Sequence, residues 1–153
     1  MPRSPRFLAA LALALSGFLL MVGFENIGAD VRSSQLQLQF AWAAAASRDI
    51  LAGWGEAGRS RVVLGLYADF LFLIGYTALL TQWLRAWRQP RRLVWGVLLA
   101  GGLDALENVF LLGFIRGGID VALTPLVGVM STLKFGLIGI ALVYLGAGFR
   151  VSK

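Results

Sequence analysis

Asp69, Asp104, Glu107 and Lys134 fall inside stretches of this chain long and apolar enough to cross a bilayer. A charged side chain at that depth is costly, and it needs a partner or a task. Carboxylates and an amine gathered there could pass a proton or hold a cation. They could also act on a lipid-linked substrate, with the acids as metal ligands or acid and base and the lysine offsetting negative charge. Spacing narrows the set: Glu107 and Asn108 follow Asp104 by three and four residues and share its helical face. Thr124, Gly128, Ser131 and Lys134 form a small and polar stripe on the last apolar stretch, while Asp69 and Tyr76 sit two helical turns apart on the second. The candidate ligand- or proton-binding residues are therefore Asp69, Asp104, Glu107, Asn108, Lys134, Tyr67, Tyr76 and Ser131. If a metal were held, Asp69, Asp104 and Glu107 would ligate it. No residue can be given a catalytic role, because no activated nucleophile and no phosphotransferase spacing is present.

Charge counting sharpens the expectation. One lysine against three acids leaves a formal excess of two negative charges in a low-dielectric region. Either a carboxylate carries a proton or the cluster holds a cation or a cationic ligand group. The plainer alternative is an ion pair between Lys134 and one acid, helped by Asn108, Ser131 and a tyrosine, that fixes helix register and does nothing more. That pair would account for Lys134 and leave the remaining negative charge unexplained.

These residues need helices to hold them. With 58% hydrophobic and 14% charged residues in 153 positions, the chain reads as one integral membrane domain. Runs 7–24, 62–84, 93–115 and 121–149 each meet the length of about 20 apolar residues that spans a hydrocarbon core of roughly 30 Å. The expected fold is all-α, a four-transmembrane-helix bundle with residues 25–61 as a loop. Gly101 and Ala105, beside Asp104, would let helices approach closely. Cysteine and histidine are both absent. Thiol redox chemistry, zinc on imidazole or thiolate, histidine-ligated haem and histidine general bases are thereby excluded, and no cofactor is expected.

Arg3 and Arg6 precede the first run, Arg85, Arg88, Arg91 and Arg92 separate the second from the third, and Arg150 and Lys153 follow the fourth. No acid lies among them. On the other side Arg32, Arg48, Arg59, Arg61 and Arg116 face Glu25, Asp30, Asp49, Glu56 and Asp120. The positive-inside rule then puts both termini in the cytoplasm, and Trp83, Trp87, Trp95 and Tyr144 near the inner interface. The net charge of +6 is an orientation signal and a source of lipid headgroup contacts rather than a nucleic-acid surface. It also disfavours a dual-topology dimer. A cleaved signal peptide ending at Ile27-Gly28-Ala29 is the rival reading of the first run. That apolar stretch is long for a signal core, and isoleucine fits the cleavage site poorly.

In the loop, Leu36, Leu38, Phe40 and Trp42 alternate with Gln35, Gln37 and Gln39, which predicts a short extended segment. Ala43, Ala46, Ile50 and Trp54 then recur at helical spacing, which predicts a short amphipathic helix ended by Gly53-Trp54-Gly55 and Gly58. That helix would lie on the outer surface as a packing element or act as a lid. At 1.5 Å per residue, Asp69, Glu107, Asp104 and Lys134 lie roughly 12, 13, 18 and 21 Å in from the outer end of their helices. Side chains lean toward the N-terminus of their own helix, so Lys134 and the two acids of the third run lean toward a common level.

Tyr67-Ala68-Asp69-Phe70-Leu71-Phe72 with Tyr76, Leu103-Asp104-Ala105-Leu106-Glu107-Asn108, and Lys134-Phe135 resemble segments of a group of small bacterial four-helix membrane proteins of unassigned activity. The resemblance extends over most of the chain. It implies that fold, a shared polar core and a bacterial cytoplasmic (inner) membrane, and it brings no reaction. The expected role is binding or transport of a small polar or cationic ligand or of protons. An assembly subunit held by its ion pair is the alternative, and a lipid-modifying enzyme comes behind both. The lipid bilayer is the expected partner. Four helices make a narrow bundle, so a conduction path would need a homo-oligomer.

Overall fold

In a computed structural model of the protein, residues 4–26 and 35–151 are described. Residues 27–34, with Ile27-Gly28-Ala29, Asp30 and Arg32, lie outside the described residues, as do Arg3, Lys153 and the side chains of Glu25 and Arg150. Among the described residues five α-helices follow in order: α1 (Pro5–Asn26), α2 (Gln35–Gln39), α3 (Ala44–Ala86), α4 (Arg91–Arg116) and α5 (Thr124–Val151). Helices α1, α3, α4 and α5 are long and apolar enough to span a membrane, so the all-α four-helix expectation holds. They form the chain α1–α3–α4–α5, in which α3 packs against both α1 and α4, and α5 packs mainly on α4.

The first contact is made by glycine. Gly17 of α1 lies against the Phe72 backbone and Gly75 of α3 against the Ala14 backbone, so close that a Cβ on Gly75 would come within 2.3 Å of the Ala14 nitrogen. Small residues at such a crossing let two backbones approach without a hydrophobic driving force. Gly101 of α4 likewise admits the Thr77 side chain of α3.

Helix α3 bends at Gly55, whose φ of 60° and ψ of −172° suit glycine alone. The stretch before the bend carries the expected loop helix, and its ending near Gly53-Trp54-Gly55 agrees with the sequence. Gly58, by contrast, sits inside the continuing helix. The buried face is Ser47, Leu51, Trp54 and Gly58: Trp54 is on it as expected, while Ser47 and Leu51 take the places of their neighbours Ala46 and Ile50, an offset of one position. The offset has a polar cause: the Ser47 hydroxyl meets the Thr124 hydroxyl at 2.8 Å, joining this stretch to the start of α5. Across the bend, Arg59 Nε donates to the Leu51 carbonyl at 2.9 Å, satisfying an acceptor near the break.

The segment expected to be extended is helical over Gln35–Gln39 and buries Gln35, Leu38 and Gln39. Burial at i, i+3 and i+4 is a helical face, and it overrides the period-two alternation of leucine and glutamine. Helix α2 packs on α3, α4 and α5 and so lies across one end of the bundle.

Two apolar cores fill the interior. One, at the α2 end, holds Leu38, Leu51, Trp54, Leu66, Leu111 and Val127; the other, toward the α3–α4 turn, holds Tyr76, Leu84, Val97, Ala141 and Leu145. On α3 the change-over falls between Leu66 and Leu73, on α4 between Val97 and Leu111, and on α5 between Met130 and Ala141. Asp69, Asp104, Glu107, Asn108, Ser131 and Lys134 occupy that gap.

Candidate functional site

The polar layer has a closed half and an open half. In the closed half, Lys134 Nζ donates to Glu107 Oε1 at 3.0 Å and to Asp104 Oδ1. Ser131 Oγ donates to Glu107 Oε2 at 2.7 Å, so both oxygens of Glu107 are engaged and the residue has no exposed surface. Such a saturated carboxylate is well placed to hold α4 on α5 and poorly placed to meet a ligand.

The open half begins at the other oxygen of Asp104, which accepts from the Tyr76 hydroxyl at 2.9 Å. Asp69 Oδ2 accepts from Asn108 Nδ2 at 2.9 Å, which ties α3 to α4. Asn108 Oδ1 is buried with no hydrogen-bond partner among the described residues. Asp69, Tyr76, Asp104 and Lys134 line a cavity of about 440 Å³, whose other walls are Gln35, Leu36 and Gln39 of α2, Phe18 and Met21 of α1, Phe72, Leu79 and Leu80 of α3, and Phe135, Ile138 and Leu142 of α5. That volume lies within the range of small-molecule sites, which are mostly apolar with a few placed polar groups.

Seven of the eight candidate residues therefore meet in one layer. Tyr67 does not join them. It is half-exposed at the α2 end, where Arg116 Nη2 donates to its hydroxyl at 2.6 Å. Two residues along a helix put side chains on different faces, and Tyr67 precedes Asp69 by two. As a metal site the acids fare poorly, since no three acidic residues are grouped to hold an ion among the described residues. Asp104 and Glu107 are drawn to Lys134 and Asp69 to Asn108. Gln35 and Gln39 enter the lining although the sequence put them, with Gln37, on the polar side of an extended segment. Their spacing of four, with Leu38 between, was the available signal. No family model, no curated protein and no solved structure matches this chain.

Proposed function

We propose that this membrane protein binds a small molecule bearing a cationic group, with Asp69 and Asp104 as counter-charges and the Tyr76 hydroxyl fixing the orientation of Asp104. The observation that carries the reading is the one-sided opening of the polar layer: Asp69, Tyr76, Asp104 and Lys134 reach the cavity, and Glu107 does not. Among the described residues the layer holds three carboxylates and one ammonium, and Asp104 with Glu107 already outnumber Lys134, so a cation entering it meets an excess of negative charge. Transport of such a ligand, or of protons, would need a homo-oligomer around this narrow bundle. On the charge asymmetry the chain sits in a cytoplasmic membrane with both termini inside, and the α2 end faces out.

The closed half supports the second reading, a structural ion pair that sets the packing of α4 on α5. An enzymatic role has less to stand on, because among the described residues no three carboxylates converge on a common metal position. Thermal unfolding of the detergent-solubilised protein with and without butylammonium separates the readings. The proposal expects wild type to be stabilised by butylammonium beyond an equal concentration of sodium, and Asp69→Asn to fold but lose that response. Glu107→Gln, altered in the closed half, should lower the midpoint yet keep the response. A response equal in wild type and Asp69→Asn, or none in either, would remove the proposal.

A further inference from the structure

We infer that the molecule held in the cavity is a single-chain amphiphile with a cationic head, admitted sideways from the bilayer between α1 and α5. The inference rests on the cationic site proposed above and adds the chain and the route. The roof comes first. Helix α2 packs across α3, α4 and α5, and its inward residues Gln35, Leu38 and Gln39 are buried, so the end of the cavity nearest water is covered.

The side is different. Among the lining residues, Phe18 of α1 is 44% exposed, and Phe135 and Leu142 of α5 are 47% and 49% exposed, while Asp69, Tyr76, Leu80, Asp104 and Lys134 behind them are buried. Helix α1 packs along α3, and α5 packs mainly on α4, which leaves these apolar rims flanking a gap that faces lipid. A hydrated inorganic ion such as sodium would have to cross hydrocarbon to use this mouth, at high cost. A molecule already dissolved in the bilayer would not.

The lining is also graded. Its acid and amine groups, Asp69, Asp104 and Lys134, lie toward the roof, and Leu79, Leu80, Ile138 and Leu142 continue toward the α3–α4 turn. From Asp69 to Leu80 the helical rise gives about 16 Å, and from Lys134 to Leu142 about 12 Å. An apolar chain can therefore run from the head along the helices, parallel to neighbouring lipid chains. Charge selects the head. Lys134 is already shared by Asp104 and Glu107, so an anionic head would meet the Asp104 carboxylate and, among the described lining residues, no other cationic group to offset it.

The test uses the full chain in phosphatidylcholine nanodiscs and follows its thermal midpoint with butylammonium, dodecylammonium and dodecanol, the two long-chain probes compared at equal bilayer concentration. Dodecylammonium should raise the midpoint well above the effect of butylammonium, and dodecanol should leave it unchanged. Leu142→Trp, which fills the far end of the cavity from a half-exposed position, should weaken dodecylammonium by about tenfold, the loss of roughly two methylene contacts. It should leave any butylammonium effect intact. Equal stabilisation by the short and long amines would overturn the amphiphile and leave the cationic site standing. Stabilisation by neither amine would overturn both. An unchanged dodecylammonium response in both Asp69→Asn and Leu142→Trp would mark a general bilayer effect and likewise overturn both; should Asp69→Asn not fold, Leu142→Trp decides alone.

Discussion

Lys134 donates to Asp104 and Glu107 across the α4–α5 contact, so the cost of removing it is set by what it leaves behind. Two enclosed carboxylates without their cation should make Lys134→Met unstable by about 3–5 kcal/mol, the usual scale for breaking a buried pair from one side. Thermal unfolding in a fixed detergent measures it. Adding Asp104→Asn and Glu107→Gln to Lys134→Met should recover most of the loss, since neutral groups can be buried together. Failure of the triple variant to recover would mean that packing, not charge, is what Lys134 supplies. Asp69→Asn is the contrasting case. The new amide oxygen can still accept from Asn108 Nδ2, so the cost should be about 1–2 kcal/mol in the same assay. Much of this arrangement was legible in the residues. Three- and four-residue spacing puts Asp104, Glu107 and Asn108 on one face, and Ser131 and Lys134 on another. What spacing could not show is the division of partners, in which Asn108 turns to Asp69 while Glu107 turns to Lys134. Both side chains sit on the same face of α4, and only the angular positions of α3 and α5 around it decide which neighbour each one meets.

Among the elements, α1 depends on two glycines. A Cβ at position 75 would meet the Ala14 backbone at 2.3 Å, and one at position 17 the Phe72 backbone at 2.4 Å, so neither can be accommodated by turning a side chain. Gly75→Ala should destabilise by about 1–3 kcal/mol, as overpacking generally does. Gly136→Ala, where nothing lies within 4 Å, should be close to neutral. Comparable thermal midpoints for the two would contradict the tight α1–α3 crossing. Gly55→Ala carries a different penalty. No atom crowds that position, but its φ of 60° is strained for alanine, at about 1–3 kcal/mol. The four long helices could be read from apolar run length alone, because the bilayer demands it. Helix α2 could not, because five residues carry too little periodicity to outweigh an alternating composition. Its conformation follows from the three helices it covers, and those contacts are remote in sequence. The same holds for Ser47, whose burial is decided by Thr124, seventy-seven positions away.

Across the whole molecule, charge is distributed by end. Arg85, Arg88 and Arg91 line a cavity of about 470 Å³ at the α3–α4 turn with Gln89, Val94, Trp95 and Leu98, and no acid is among its walls. At the opposite end, Arg48, Arg59 and Arg61 share the first part of α3 with Asp49 and Glu56, and Asp120 caps the turn before α5 through the Ala122 amide. An excess of arginine in short loops is held on the cytoplasmic side, whereas a balanced segment is free to cross. On the proposed orientation the α3–α4 turn lies inside and α2, with the roofed end of the cavity, outside. The chain has no cysteine, so a single introduced thiol reports its side without a competing background. Ala57 and Ala86 are both exposed, at the two ends of the spanning part of α3, and exchanging alanine for cysteine there disturbs neither charge nor core. In intact cells a membrane-impermeant maleimide should label Ala57→Cys and spare Ala86→Cys until the membrane is permeabilised. The reverse pattern would invert the topology, and with it the leaflet from which an amphiphile could reach Asp69. Labelling of both positions in intact cells would mean that the arginines do not impose one orientation, and the bundle would then present its cavity to both leaflets.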